Sequence, residues 1–300
     1  LSTPAVQLES VTFTYPGAST PAVEAVNLDV PEGTRLGILG PNGGGKSTLL
    51  KLALGLLRPT SGRVRVLGRD PAEARRAGFI GYVPQKFDVE LGFPMSVRQV
   101  VELGATWRLP AWKPVPREAR QRIEEMLRLT GAAEFADRAI GKLSGGQMQR
   151  AMIARALAAN PRILALDEPM VGIDAKGQHQ FASLLESIHR SLGITILIIS
   201  HDLRAIAAGS DRVACLARRL HSHVSPEGLT PQVLAELFSH DLVGIAGVTG
   251  PVHIHAHRAG ECCEEAGAGH GHPHTHATGD LTISAPGKSS STGEVPHGRS

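Results

Sequence analysis

Residues Gly40-Pro41-Asn42-Gly43-Gly44-Gly45-Lys46-Ser47-Thr48 have the spacing of a phosphate cradle, G-x-x-x-x-G-K-[S/T]. Glycines let consecutive backbone N–H groups curve around an anion, and a following helix adds the favourable field of its N-terminus. Lys46 has the reach to bridge a β- and a γ-phosphate, and the Ser47 hydroxyl is a Mg²⁺ ligand of the right hardness. A chance glycine-rich turn would match the letters without the context. Here the apolar run Leu36 to Leu39 leads in, and a helical pattern from Lys46 to Leu57 leads out.

Two further groups suit the same chemistry. Asp167 and Glu168 follow the apolar run Ile163 to Leu166, where a buried strand would leave the core. Ligands of parallel α/β folds sit beyond such strand ends. Asp167 suits the hydrated Mg²⁺ beside the phosphate loop, and Glu168 suits polarising an attacking water. Alone, the pair would be an ordinary strand-to-loop transition; beside a phosphate loop it reads as a catalytic edge. His201 directly follows another apolar run, Ile196 to Ile199. A lone histidine is more often structural or simply exposed, but at a strand's C-terminal end a neutral imidazole can hydrogen-bond a γ-phosphate and hold water in place.

The elements that must position these groups follow from hydrophobic period. Strands are expected at 5–13, 25–30, 36–39, 63–67, 79–84, 163–166, 195–200 and 212–217. Helices are expected at 46–57, 71–77, 96–104, 117–129, 145–159, 175–190, 202–209 and 231–238. No strand is expected between about 90 and 160. The pattern is α/β: a parallel-sheet nucleotide fold with a helical insertion. It divides the chain into an α/β nucleotide-binding core at 1–87 and 159–243, a helical subdomain at 88–158, and a tail at 244–300.

Composition sets the outer bounds. The 300 residues carry 31 Lys+Arg against 28 Asp+Glu, a net charge of +3 that gives little reason to infer nucleic-acid binding. Three cysteines, Cys215, Cys262 and Cys263, make no disulfide framework and point to a reducing compartment. No run approaches the length of a membrane span, and the N-terminus does not read as a secretion signal. The tail lacks aromatic side chains and has few large aliphatics, so it is expected to be disordered without a ligand.

The segment Leu143-Ser144-Gly145-Gly146-Gln147-Met148-Gln149-Arg150, with the loop at 40–48 and the Asp167-Glu168 pair, resembles the ATP-binding subunit of ATP-binding-cassette (ABC) transporters. The resemblance covers residues 6–243. It implies a P-loop fold with a RecA-like core, N-terminal antiparallel β strands and the helical insertion. It implies that Tyr15 stacks on adenine, that Gln85 senses Mg²⁺ and the γ-phosphate, and that Asp174, in Gly172-Ile173-Asp174, couples two sites across a dimer. Ser144, Gly145, Gly146 and Gln147 would contact the γ-phosphate of ATP held by the opposite subunit. Glu168 would be the catalytic carboxylate and His201 the switch histidine. Physical reasoning agrees with the signature: Ser144 starts a helix whose N-terminus suits an anion, and one chain with two anion sites suggests completion by a symmetric partner. Helix capping by Ser144 is compatible with that role.

Within the family, Gly92-Phe93-Pro94-Met95-Ser96-Val97 resembles the corresponding region of importers of zinc and manganese, and the stretch Ala217 to Leu237 resembles the zinc-importer branch. Two departures, Gly44 and Met170, remove no catalytic group. The implied protein is an ATPase, a translocase on the cytoplasmic face of the cell membrane. Its partners would be a second copy, a membrane permease dimer and, indirectly, an extracytoplasmic metal-binding protein. The tail adds an independent hint. His253, His255, His257, His270, His272, His274 and His276 alternate with spacers around Cys262-Cys263, and imidazoles and thiolates suit Zn²⁺. A solubilising tail without function is the plain alternative. Zinc is therefore the expected cargo, with manganese, iron or nickel as alternatives; a non-transport ABC ATPase or a metal-buffering protein are rivals of another class.

Overall fold

The computed structural model describes residues 3–85, 94–110, 112–170, 175–203, 206, 209–226 and 229. Three strands, β1 (Val6–Phe13), β2 (Val23–Val30) and β4 (Ser61–Val66), form an antiparallel sheet in the order β2-β1-β4. A six-stranded sheet has the order β5-β6-β7-β3-β8-β9, built from β3 (Arg35–Leu39), β5 (Ile80–Val83), β6 (Ile163–Asp167), β7 (Thr195–Ser200), β8 (Arg212–Ala217) and β9 (Arg219–Val224). Its first five strands in that order are parallel, and β9 pairs antiparallel with β8 at the edge.

Strands buried on both faces need apolar residues at every position, because successive side chains point to opposite sides. Leu164, Leu166, Ile196 and Ile198 enter one core, shared with the helices α3 (Val97–Thr106), α4 (Arg117–Leu129), α5 (Gly145–Ala158) and α6 (Ala175–Leu192). Ile163, Ala165, Leu197 and Ile199 enter the other, against the antiparallel sheet and the helix α1 (Lys46–Ala53). The short helix α2 (Pro71–Arg76) is capped by Asp70, whose carboxylate accepts from the Ala72 and Glu73 amides. The insertion between β5 and β6 carries α3, α4 and α5, and no strand among the described residues.

Register brings the chemistry to one edge. Leu39 lies opposite Ser200, Asp167 opposite Ile199, and Val83 opposite Leu166. The phosphate loop, Glu168, His201 and Gln85 therefore leave neighbouring strands at the same C-terminal end of the sheet.

Two expectations change. The helix read as 46–57 ends at Ala53. Gly55 takes φ 65°, its amide donates to the Leu52 carbonyl, and the Leu56 amide donates back to Lys51. That is a Schellman cap. Leu54, Leu56 and Leu57 had prolonged the apolar pattern past it. The second change is β9, which no period signalled. Arg219, His221 and Ser222 give it no apolar alternation, and it forms because the β8 edge needs a ladder partner. Of the expected helix at 202–209, Leu203, Ile206 and Gly209 are described and helical. The expected helix at 231–238 lies outside the described residues.

Candidate active site

The phosphate loop is closed on its own lysine. Lys46 Nζ donates to the carbonyls of Gly40 (2.8 Å) and Pro41 (2.9 Å) and is only 5 % exposed. Gly45, the residue before α1, has φ 91°, and a Cβ there would lie 2.3 Å from the Ala22 carbonyl oxygen. Only glycine fits. The Gly44 carbonyl accepts from the Arg218 amide at 2.9 Å, tying the loop to the β8–β9 turn.

Ser47 Oγ donates to Asp167 Oδ1 at 3.2 Å, and Tyr82 OH donates to Oδ2 at 3.4 Å. Burial pushes the Asp167 carboxyl above the usual carboxylate range, and the Glu168 charge adds to this; the Ser47 and Tyr82 hydroxyls and Lys51 oppose it. The Tyr82 phenol is pushed up to about 12 by burial and by the Asp167 charge, so it remains a donor at any physiological pH. A hydroxyl and a desolvated carboxylate side by side are hard oxygen donors, the set that fits Mg²⁺.

The raised Asp167 pKa has a consequence for stability. The folded chain holds this proton more tightly than the unfolded chain does. The carboxyl's contribution to stability is therefore full below the unfolded pKa and falls as pH rises through the folded one. Asp167→Asn should raise the Tm of the Mg²⁺-free chain by about 1–3 °C at pH 7, a difference that vanishes towards pH 3. The same variant should lose the extra protection that Mg·ATP gives the native chain. Thermal unfolding followed by circular dichroism in EDTA and in Mg·ATP reads both.

Glu168 gathers three cationic or donor side chains. Gln85 Nε2 donates to Oε2 at 3.0 Å, His201 Nδ1 lies 3.4 Å from the same oxygen, and Lys46 Nζ lies 3.9 Å from Oε1. The residue takes φ 46°, a left-handed conformation that non-glycine residues seldom adopt. Its amide donates to the Ile199 carbonyl at 2.9 Å, which pins the turn to β7. Gln149, two residues beyond the signature, donates from Nε2 to the Pro169 carbonyl and ties α5 to the loop after Glu168.

Tyr15 stands 40 % exposed at the mouth of this edge. Its hydroxyl is 3.1 Å from Thr48 Oγ1, and its ring meets Phe13 edge-on at 4.8 Å. Ser144 caps α5: its Oγ accepts from the Gln147 amide, and the Gln147 side chain accepts from the Ser144 amide at 3.1 Å. Ser144, Gly145 and Gly146 are exposed, and a Cβ on either glycine would meet nothing within 4 Å. The structure thus joins Lys46, Ser47, Gln85, Asp167, Glu168 and His201 in one site and leaves the 144–147 helix start open to solvent. Asp174 lies outside the described residues, as do the tail ligands at 253–276. Among the described residues no group of three His, Cys, Asp or Glu side chains is arranged to hold a metal ion.

Tyr82 and Gln149 escaped the sequence reading. Tyr82 had a signal: on a strand ending beside Asp167, a phenol three residues before Gln85 is placed to reach the carboxylate edge. Gln149 stands inside the 143–150 segment, but nothing in the letters pointed to its contact with the Pro169 carbonyl.

Residues 23–171 match the family model described as ABC transporter. The zinc import ATP-binding protein ZnuC of Paramagnetospirillum magneticum is 39% identical over 239 residues, covering 79% of this chain and 84% of that protein. The chain belongs to the ABC transporter family. This ABC ATPase is also 37% identical to the manganese transport system ATP-binding protein MntB of Halalkalibacterium halodurans, over 80% of its own length and 94% of MntB. Its fold matches the dimeric, post-hydrolysis ATP-binding cassette MJ0796 bound to ADP and Pi, with a TM-score of 0.64, 30% identity, and coverage of 75% of this chain and all of that one. It is an ATP-binding and ATP-hydrolysing subunit. Among the described residues, no helix of this ABC ATPase is long and apolar enough to cross a membrane.

Proposed function

We propose that the chain is the ATPase of a metal-ion importer, with zinc as its cargo, and that it works as a head-to-tail pair on the cytoplasmic face of the membrane. The observation that carries the motor is the meeting of Gln85, His201 and Lys46 on one carboxylate, Glu168, beside the phosphate loop. In this reading ATP enters the loop, and its phosphates take over Lys46 from the Gly40 and Pro41 carbonyls. Tyr15 stacks on the adenine through its ring face. Ser47, Asp167 and Gln85 would hold Mg²⁺, which supplies charge neutralisation on the phosphates. Glu168 then orients and polarises the attacking water, and His201 holds the γ-phosphate side of that arrangement. The open helix start at Ser144-Gly145-Gly146-Gln147 belongs to the partner's ATP, and Asp174 couples the two sites across the pair. Closure of the pair completes both sites, and hydrolysis reopens it.

Closure must reach the permease. A groove of about 290 Å³ runs between the core and the insertion beside Gln85, lined by Gly78, Tyr82, Pro84, Leu103, Trp107 and Met152. Its lining mixes apolar side chains with Arg75 and Arg155, it includes Tyr82 of the catalytic edge, and it suits an amphipathic helix supplied by the permease.

Zinc is favoured over manganese by the tail. Its histidines and the Cys262-Cys263 pair suit a borderline-soft ion better than a hard one. A relative named for zinc import and another named for manganese transport support a metal importer and leave the choice between them to chemistry. In a strain lacking this subunit, growth and ⁶⁵Zn uptake should fail under zinc starvation and return with the native gene. Failure confined to manganese starvation would overturn the cargo. For the tail, calorimetric titration of the full chain with Zn²⁺ should give heat that disappears when the histidines at 253–276 become alanine. Equal heat from both chains would remove those residues as ligands.

A further inference from the structure

Both tryptophans of the chain lie in one short connection, and both face solvent. Trp107 is 48 % exposed at the end of α3 and Trp112 is 83 % exposed five residues later. With Leu103, 51 % exposed, they make up three of the five large exposed apolar side chains among the described residues. A single exposed apolar residue is ordinary; three within ten positions form a patch that asks for a partner.

The charged side chains between Leu103 and Arg117 have one sign. Arg108, Lys113 and Arg117 are exposed, and no Asp or Glu occurs between Leu103 and Arg117. Arg108 stacks on Trp107, 4.6 Å from its ring centroid, and donates to the Arg76 carbonyl at 2.9 Å, which brings α2 with the exposed Arg75 and Arg76 alongside. The acids nearest in sequence, Glu73, Glu102 and Glu118, sit on the flanking helices. The described residues of the connection are held by backbone hydrogen bonds and prolines. Leu109 donates to the Thr106 carbonyl, Lys113 donates to the Pro110 carbonyl, and Pro110, Pro114 and Pro116 limit the backbone. Residues so held lose little freedom on binding.

Trp112 does not line the groove assigned above to the permease, whereas Trp107 and Leu103 do. Under the importer reading that groove opens towards the membrane, and the exposed Trp112 follows the groove-lining Trp107 by five residues. Indole is the side chain that prefers the bilayer surface, apolar in body with an N–H for the headgroups, and lysine and arginine add attraction to anionic lipid. We propose that Arg108, Trp112, Lys113 and Arg117 form a contact for the anionic membrane surface, with Trp112 seated among the headgroups and the cations on lipid phosphates. The contact would steer the ATPase to the bilayer and hold it there through the open phase of its cycle.

The proposal rests on the importer reading only for its setting, so the test omits the permease. The full-length Trp107→Phe chain keeps Trp112 as its sole indole. At pH 8, above the ordinary imidazole range, it should sediment with phosphatidylglycerol vesicles and about tenfold less with phosphatidylcholine vesicles. Trp112 emission should shift to the blue and be quenched by brominated acyl chains. In the wild-type background, Trp112→Ala should weaken partitioning by about tenfold, and Lys113→Gln and Arg117→Gln by about fivefold each, with ATPase activity and Tm unchanged. Absence of the blue shift, or equal partitioning of Trp112→Ala and wild type, overturns the proposal. Loss of ATPase activity in the wild-type chain would count against the importer reading and leave the vesicle result standing.

Discussion

Replacing Glu168 with glutamine should leave ATP binding intact and slow hydrolysis by about 10²–10⁴-fold, so that a closed dimer accumulates. The substitution keeps size and shape and removes one thing, the anionic acceptor. In the native site Oε2 accepts from Gln85 and faces His201, while Oε1 lies 3.9 Å from Lys46. Glutamine retains one acceptor oxygen, enough for the Gln85 contact, and carries an amide where the water must give up a proton. The left-handed turn at φ 46° and its amide bond to Ile199 do not depend on the charge, so the fold should persist. Loss of the negative charge beside Lys46 also removes a competitor for the ammonium, and nucleotide affinity should hold or rise. Single-turnover hydrolysis and size-exclusion chromatography with ATP measure the two halves. Turnover near the native rate would take the water-activating role away from Glu168.

The residues that could be read in advance are those whose position follows from a strand's end. An apolar run with no polar gap must be buried on both faces, so its exit point must lie at an edge of the sheet. Leu36 to Leu39, Ile163 to Leu166 and Ile196 to Ile199 each lead directly to a group of the site. Their register, Leu39 beside Ser200 and Asp167 beside Ile199, is the part that a linear pattern does not contain. Side-chain pairings were less legible for the same reason. Gln85 was expected towards Mg²⁺ and the γ-phosphate, and here it donates to Glu168, which in turn faces His201. The letters of a sequence place Gln85 at the strand end but do not choose among the acceptors gathered there. The β8–β9 hairpin was illegible because its polar second strand forms from the needs of its neighbour's backbone. The end of α1 was legible in principle: Gly55 sits where a left-handed cap was required, and three leucines obscured it.

Lys46→Ala should lower ATP affinity by about 10²-fold or more, the scale of losing a charge-assisted contact to phosphate in a desolvated site. It should also loosen the loop before any nucleotide arrives. The ammonium is 5 % exposed and donates to the Gly40 and Pro41 carbonyls, so alanine leaves two buried acceptors to find water. The Glu168 carboxylate would at the same time lose its nearby cation. Faster hydrogen exchange across 40–48, a lower Tm and a right-shifted nucleotide titration should therefore appear together. Lys46→Arg separates the contributions. Arginine keeps the charge but presents a planar fork in place of a compact point charge, and a pocket that leaves lysine 5 % exposed has little room for it. If charge alone mattered, arginine would restore binding. If the seat between the two carbonyls matters as well, arginine should remain within about tenfold of alanine in affinity and recover little of the lost Tm. Full recovery by arginine would mean that the closed, lysine-centred loop has no bearing on nucleotide binding.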